Sequence, residues 1–181
     1  NVKIGTVRSK TGFLLVGSRY LARRVFKKPD TPKISSNSSL NQPNKKIIKL
    51  EDVSQNLEDS LVLCHGHFNI IHPGHIRYLD YARQQGSKLV VSIRGDASFL
   101  NLDKKNHFSE AERAAGVASL QIVDQVILLG DGSLEKLITL QTPAVLVLGK
   151  EFESERDDQV SDAVRLLKKQ GGKILFHAGE T

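Results

Sequence analysis

The 181-residue sequence holds one cysteine, no methionine and no apolar run of membrane-spanning length. A single cysteine, Cys64, excludes an intramolecular disulfide and fits a reducing compartment, so a cytoplasmic location is expected. The lack of a long apolar run argues against a membrane span. A chain without methionine, even at position 1, reads as a fragment or as a sequence from which residues are missing. Acidic residues are nearly absent from the first fifty positions. Residues 1–50 hold twelve Lys/Arg against one acid, Asp30, a formal charge of +11. Residues 51–181 hold the other fourteen against nineteen acids, −5, within a chain total of +6. The basic character therefore belongs to the N-terminal segment. The length suits one domain with an appendage and is enough to bury a core.

Three segments follow. Residues 1–28 are basic and partly apolar, and their short apolar run, Phe13–Val16, has Arg and Lys on both sides. That flanking argues against a signal peptide. An organelle transit peptide and a nucleic-acid-binding tail share the basic composition. Ser is sparse before Ser35, however, and nucleic acid is not the expected partner. The expectation is an ordered arm or a piece of another domain. Residues 29–45 read as a linker rich in Pro, Ser and Asn, too polar to fold alone. A domain is expected over 46–181. Ile47–Ile48 would be an extended lead-in and Glu51–Leu57 a short helix.

What is there in abundance is histidine, in one place. Leu61–Leu79 reads LVLCHGHFNIIHPGHIRYL and holds four of the six histidines. Leu61–Cys64 is a short apolar run of strand type. Gly66 follows, where a side chain would block close approach of a ligand to the backbone. Pro73 suits a first helical turn, because its missing N–H would be unpaired there anyway. Ile76, Leu79 and Ala82 recur at helical spacing, and Gly86 is a stop signal. A helix N-terminus attracts phosphate through its free N–H groups and partial positive charge. His72 and His75, three apart, project to one side of that first turn. Their imidazole N–H groups can bind phosphate oxygens and stabilise charge during transfer. Four histidines between His65 and His75 also suggest zinc, but Cys64 is the lone cysteine and no carboxylate lies inside the cluster.

Downstream, strands alternate with helices. Lys88–Ile93 reads as a strand, with a turn at Arg94–Asp96. Ser109 with Glu112 three residues on is a capping box. Gln125–Leu129 and Ala144–Leu148 read as strands, with a short helix from Ser133 to Leu140 between them. Gln159–Gln170 is amphipathic, stopped by Gly171–Gly172, and Lys173–His177 is a last strand. Alternation predicts right-handed parallel crossovers and a three-layer α/β sandwich. Ligands then bind beyond the strands' C-terminal ends. Gly66, the two motif histidines, Asp96 and Gly149 all fall at such ends.

The spacing Gly66-x-Phe68-x-x-x-His72-Pro73-Gly74-His75-x-x-Tyr78-Leu79 resembles the signature of the cytidylyltransferase-like nucleotidylyltransferases. The similarity is greatest to the sugar-phosphate branch, which includes the nucleotidylyl domain of bifunctional ADP-heptose synthase and glycerol-3-phosphate cytidylyltransferase. It continues through Leu89–Ser98, Ser109–Ala114, Val123–Val126 and Pro143–Val147, and covers roughly residues 47–178. The resemblance implies a parallel Rossmann-like sheet of the HUP, or nucleotidylyltransferase, type. It implies that a nucleoside triphosphate, ATP or CTP, joins a sugar- or polyol-phosphate with release of pyrophosphate. By similarity, His72 and His75 hold the triphosphate and stabilise developing charge, and Arg113 grips outer phosphates. Lys104 or Lys105 lies near the acceptor. Gly66, His67, Phe68, Asn69, Asp96 and Gly149 belong to the nucleotide side, and Gly74 lets a phosphate approach. Mg2+ comes with the triphosphate and no protein metal site is implied, Asp96 being at most an indirect contact. A homodimer is implied, as is a sugar kinase fused to the domain or partnered with it.

The sequence departs from the family pattern in places. Asn69 stands where Asp is usual, His67 where a small residue is usual, and Leu148 where Lys is common, with Lys150 nearby. The family's Ser/Thr-rich phosphate-binding segment is expected after His177. These departures keep a second function class open: a non-enzymatic nucleotide-binding regulatory or scaffold domain. A tRNA-synthetase-type core shares the His-x-x-His helix mouth but fails on length and on the absence of a second lysine loop. The helix after Ser109 carries Ala114, Ala115, Val117, Ala118 and Leu120, read as apolar on more than one face and hence as a dimer contact.

Overall fold

The computed structural model describes residues 44–55, 59–99, 107–154 and 158–179. The basic segment, nearly all of the linker, and Lys104 and Lys105 lie outside the described residues. Everything below falls in a unit spanning Pro43–Thr181.

Among the described residues, six strands form one parallel sheet: β1 (Ile47–Lys49), β2 (Leu61–Gly66), β3 (Lys88–Ile93), β4 (Gln125–Leu128), β5 (Val145–Gly149) and β6 (Lys173–His177). Their spatial order is β1-β4-β3-β2-β5-β6. The helices are α1 (Pro73–Arg83), α2 (Glu110–Ala118), α3 (Leu134–Gln141), the single turn α4 (Glu151–Ser154) and α5 (Asp158–Lys169). The central strands are almost wholly apolar inside the sheet, His65 and Ser92 excepted, because both faces are covered. Alternate residues face opposite sides. Val62, Cys64, Leu89, Val91, Val145 and Val147 pack under α1 and α2. Leu61, Leu63, Val90, Ile127, Leu146 and Leu148 pack under α3 and α5. The result is the three-layer α/β sandwich that the alternation predicted.

Three local readings change. Ile47–Ile48 is more than a lead-in: it is an edge strand, with Ile47 opposite Val126 and Ile48 opposite Ile127. The helix expected over Glu51–Leu57 is a single 3₁₀ turn, Leu50–Asp52. Its N-cap residue, Lys49, makes no side-chain cap bond, and Val53 already leaves in an extended conformation. One uncapped turn does not repay helix nucleation. The third change concerns α2. Ala114, Val117 and Ala118 all face the core, and Ala115 is exposed. Leu120 lies past the helix end and packs on the same core. The helix thus buries one face, and Val117 belongs to the interior of its own domain.

The connectivity places the site. From β2 the chain moves to β3 and then β4, and next crosses back to put β5 on the other side of β2. The two crossovers part at the C-terminal ends of β2 and β5, where a crevice opens.

Candidate functional site

β2 ends at Gly66, and Phe68 then turns the chain with φ of 51°. This left-handed conformation is uncommon for a bulky residue and is held by packing. The Phe68 ring is buried against His75, 5.1 Å between centroids, and Tyr78, 6.3 Å. A Cβ on Gly66 would lie 3.0 Å from that ring, so glycine here lets Phe68 fold back. The Tyr78 hydroxyl donates to the Val147 carbonyl at 2.6 Å, tying α1 to β5 across the crevice.

His72 is the N-cap of α1, with Pro73 beginning the helix. Its Nδ1 accepts the Gly74 N–H at 3.1 Å, so the proton of the neutral ring sits on Nε2. Glycine at 74 has a local reason as well, since a Cβ there would meet His72 Cε1 at 2.9 Å. The His75 ring lies 3.9 Å from that of His72, planes 33° apart. His75 Nδ1 is buried and makes no well-formed hydrogen bond. Burial holds the His75 pKa below the usual histidine value, and the neighbouring His72 adds to the effect, with the Ile70 carbonyl partly opposing both. In the free protein His75 therefore stays neutral further into the acid range.

A pH prediction follows. A bound polyphosphate favours the imidazolium, so binding raises the His75 pKa and takes up protons. Affinity for a triphosphate then rises as pH falls through the His75 range. Calorimetry in buffers of different ionisation enthalpy reads the proton uptake directly. No uptake would contradict an anion bound at His75.

These groups open into a cleft of about 430 Å³, lined by five of the six histidines: His65, His67, His72, His75 and His177. Gly66, Phe68, Asn69, Gly74 and Gly149 also line it, as the sequence led one to expect. Lys104 lies outside the described residues. Asp96 and Arg113 are not among the lining residues. Arg113 is only 2 % exposed. Its guanidinium donates to the carbonyls of His67 (2.7 Å), Arg94 (2.7 Å) and Phe108 (3.1 Å) and to Asp96 Oδ1 (2.9 Å). The fork thus joins the β2 loop, the end of β3 and the entry to α2, and in this arrangement it faces protein groups rather than the cleft. Burial acts to raise the Asp96 pKa, but the Arg113 hydrogen bond, the Glu110 backbone and the Arg113 charge outweigh it and leave the carboxyl below its usual range. Asn69 Oδ1 accepts the Phe108 N–H at 2.9 Å. That bond needs only an acceptor oxygen, which an amide supplies without a charge.

Sequence reasoning missed other parts of the cleft. His65 lies on β2 with its Nδ1 2.9 Å from Ser92 Oγ, and Ser92 donates onward to the Cys64 carbonyl at 3.1 Å. His65 also borders a second cleft of about 270 Å³ beyond β3 and β4, lined by Arg94, Gly130 and Asp131 among others. The signal for it was a polar residue ending an apolar run. Glu151 and Phe152, just past β5, form another wall, and the Glu151 carboxylate occupies the space a Cβ on Gly149 would need. Cys64 is buried, its thiol pushed up to about 12, so it is no nucleophile.

A parallel sheet with a helix mouth at its switch point and a histidine-lined crevice beyond it defines a Rossmann-like α/β domain of the HUP type. Residues 63–174 match the cytidylyltransferase-like family, and the chain belongs to it. It is 35 % identical over 140 residues to the bifunctional protein HldE of Helicobacter pylori J99, covering 74 % of this chain and 30 % of that protein. Against the bifunctional protein HldE of Alcanivorax borkumensis it is 32 % identical over 177 residues, covering 96 % of this chain and 35 % of that one. The chain thus spans about a third of the length of the curated relatives it matches. Among solved structures it is similar to a lipopolysaccharide core biosynthesis protein from Thermoplasma volcanium. There the TM-score is 0.52 and the identity 29 %, over 65 % of this chain and 93 % of that one. Among the described residues, no helix is long and apolar enough to cross a membrane.

Proposed function

We propose that this domain is a nucleotidylyltransferase that joins CTP or ATP to a phosphorylated sugar or polyol and releases pyrophosphate. The observation that carries the reading is the pair of imidazoles, 3.9 Å apart, at the mouth of α1 within the switch-point cleft. In the reaction an acceptor phosphate oxygen attacks the α-phosphorus in line. The new P–O bond forms as the bond to the bridging oxygen of the β-phosphate breaks, and pyrophosphate leaves with that electron pair. Such transfer needs positioning and charge stabilisation more than a protein nucleophile. His72 supplies Nε2–H, because Nδ1 is committed to Gly74. His75 supplies a second N–H beside it. The partial positive charge at the N-terminus of α1 adds to the field, although Pro73 carries no N–H and the Gly74 N–H is engaged by His72. Among the described residues Glu151 is the one carboxylate lining the cleft, amid imidazoles that suit magnesium poorly. That set fits Mg2+ carried by the triphosphate, where it neutralises phosphate charge, and not an ion held by the protein alone.

The relatives are called bifunctional, and this chain matches about a third of each. A sugar kinase, fused or separate, is the partner that would supply a phosphorylated acceptor. A cytoplasmic homodimer completes the proposal, and a strictly monomeric mass in sedimentation equilibrium would count against that part. A second reading, nucleotide binding without turnover, draws on Glu151 beside Gly149 and on the buried Arg113. A panel of sugar and polyol phosphates with each triphosphate, followed by pyrophosphate release, separates the two. Release with at least one pair is expected, and binding without release across the panel would favour the second reading.

A further inference from the structure

The chain leaving β6 is held against α1 by contacts that no apolar core supplies. Arg77 Nε donates to the Gly179 carbonyl. The Gly179 N–H donates to His177 Nδ1 at 2.9 Å. The His177 ring stacks on Tyr81, centroids 4.2 Å apart and planes 20° from parallel. Gly179 has φ of 66°, and a Cβ there would lie 2.3 Å from the Gly74 carbonyl oxygen. Gly74, Arg77 and Tyr81 are spaced by three and four residues, so they share one face of α1. The segment they hold, His177–Ala178, lines the histidine cleft, whereas Arg77 and Tyr81 do not. His177 is half-buried and Ala178 exposed, so hydrophobic burial contributes little to keeping this wall in place.

We infer that Arg77, with Tyr81, is a positioning residue for triphosphate binding. It fixes the His177–Ala178 wall against the mouth of α1 and acts through that wall rather than by touching the reacting atoms. The inference rests on the nucleotidylyltransferase reading of the same cleft. Losing the Arg77 bond frees the wall, so the bound state must order it again, and affinity falls while the chemical step keeps its groups.

The test uses the full chain with Arg77→Ala, Arg77→Lys and Gly179→Ala. The last moves the same segment from its own side by strain and a close contact with Gly74. Calorimetry with the α,β-methylene analogues of CTP and ATP gives Kd, and steady-state kinetics give kcat and KM. Arg77→Ala and Gly179→Ala should each raise Kd and the triphosphate KM about tenfold, roughly 1.4 kcal/mol, with kcat within about threefold. Tm should move by no more than a few degrees, and Arg77→Lys should recover part of the affinity. Unchanged Kd in both variants, with the unaltered chain binding normally, overturns the positioning role alone. A joint fall of kcat and Tm overturns it too, because it marks a merely structural contact. No analogue binding by the unaltered chain overturns the nucleotidylyltransferase reading and this inference together.

Discussion

Replacing His75 with alanine should slow pyrophosphate release about 100-fold or more, the range seen when a donor aimed at transition-state charge is removed. His75 is the cleaner of the two motif histidines to change. His72 also caps α1 through Gly74, so its loss mixes an uncapped helix with lost chemistry. His75 is half-buried, and its ring packs on those of His72 and Phe68. Its removal should leave the fold intact, with Tm nearly unchanged. The α,β-methylene analogues should still bind, because His72 and the partial positive charge of the helix N-terminus remain. Lost turnover with retained binding is the expected pattern. Turnover equal to that of the unaltered chain would remove His75 from the chemistry.

Arg113→Ala should act through stability. It strips the donor from three carbonyls, those of His67, Arg94 and Phe108, and leaves Asp96 without its ion-pair partner. The Arg113 side chain is wholly buried, so water does not simply replace it. Leaving these carbonyls without their donor costs about 3 kcal/mol or more in sum, whereas Asp96, its side chain more than half exposed, keeps water as a partner. For a domain of this size Tm should fall by roughly 10 °C or more. Arg113→Lys should recover only part of the loss, because an ammonium cannot span a planar fork's several acceptors. Thermal and urea unfolding check both variants. A melting point within a degree or two of the unaltered protein would show that the network contributes little.

The sequence made some of this legible and hid the rest for definable reasons. The β2–turn–α1 unit could be read because its signals are local: an apolar run, Gly66, Pro73 and a helical period. The capping box at Ser109 and Glu112 is local too, and both of its reciprocal bonds are present. β1 was harder, because three residues carry no periodicity and its partner, β4, lies far along the chain. Arg113 was the hardest. In sequence it is a helix charge like many others. The carbonyls of His67 and Arg94 converge on it only when β2, β3 and α2 are packed together. Glu151 and His177 were likewise invisible as neighbours, being joined only by the sheet order that sets β5 beside β2 and β6 beside β5.

The hydrogen bond from Gly74 to His72 bears on how fast a product leaves. One N–H cannot serve the imidazole and a phosphate oxygen in full at once. If a phosphate takes the Gly74 N–H, it exchanges one acceptor for another and gains little net enthalpy there. When that phosphate departs, the ring of His72 swings back onto the vacated donor, so no bare amide has to wait for water. An internal competitor of this kind lowers the barrier to release as well as the affinity. It suits a cleft that lets go of a phosphorylated ligand better than one that would store it.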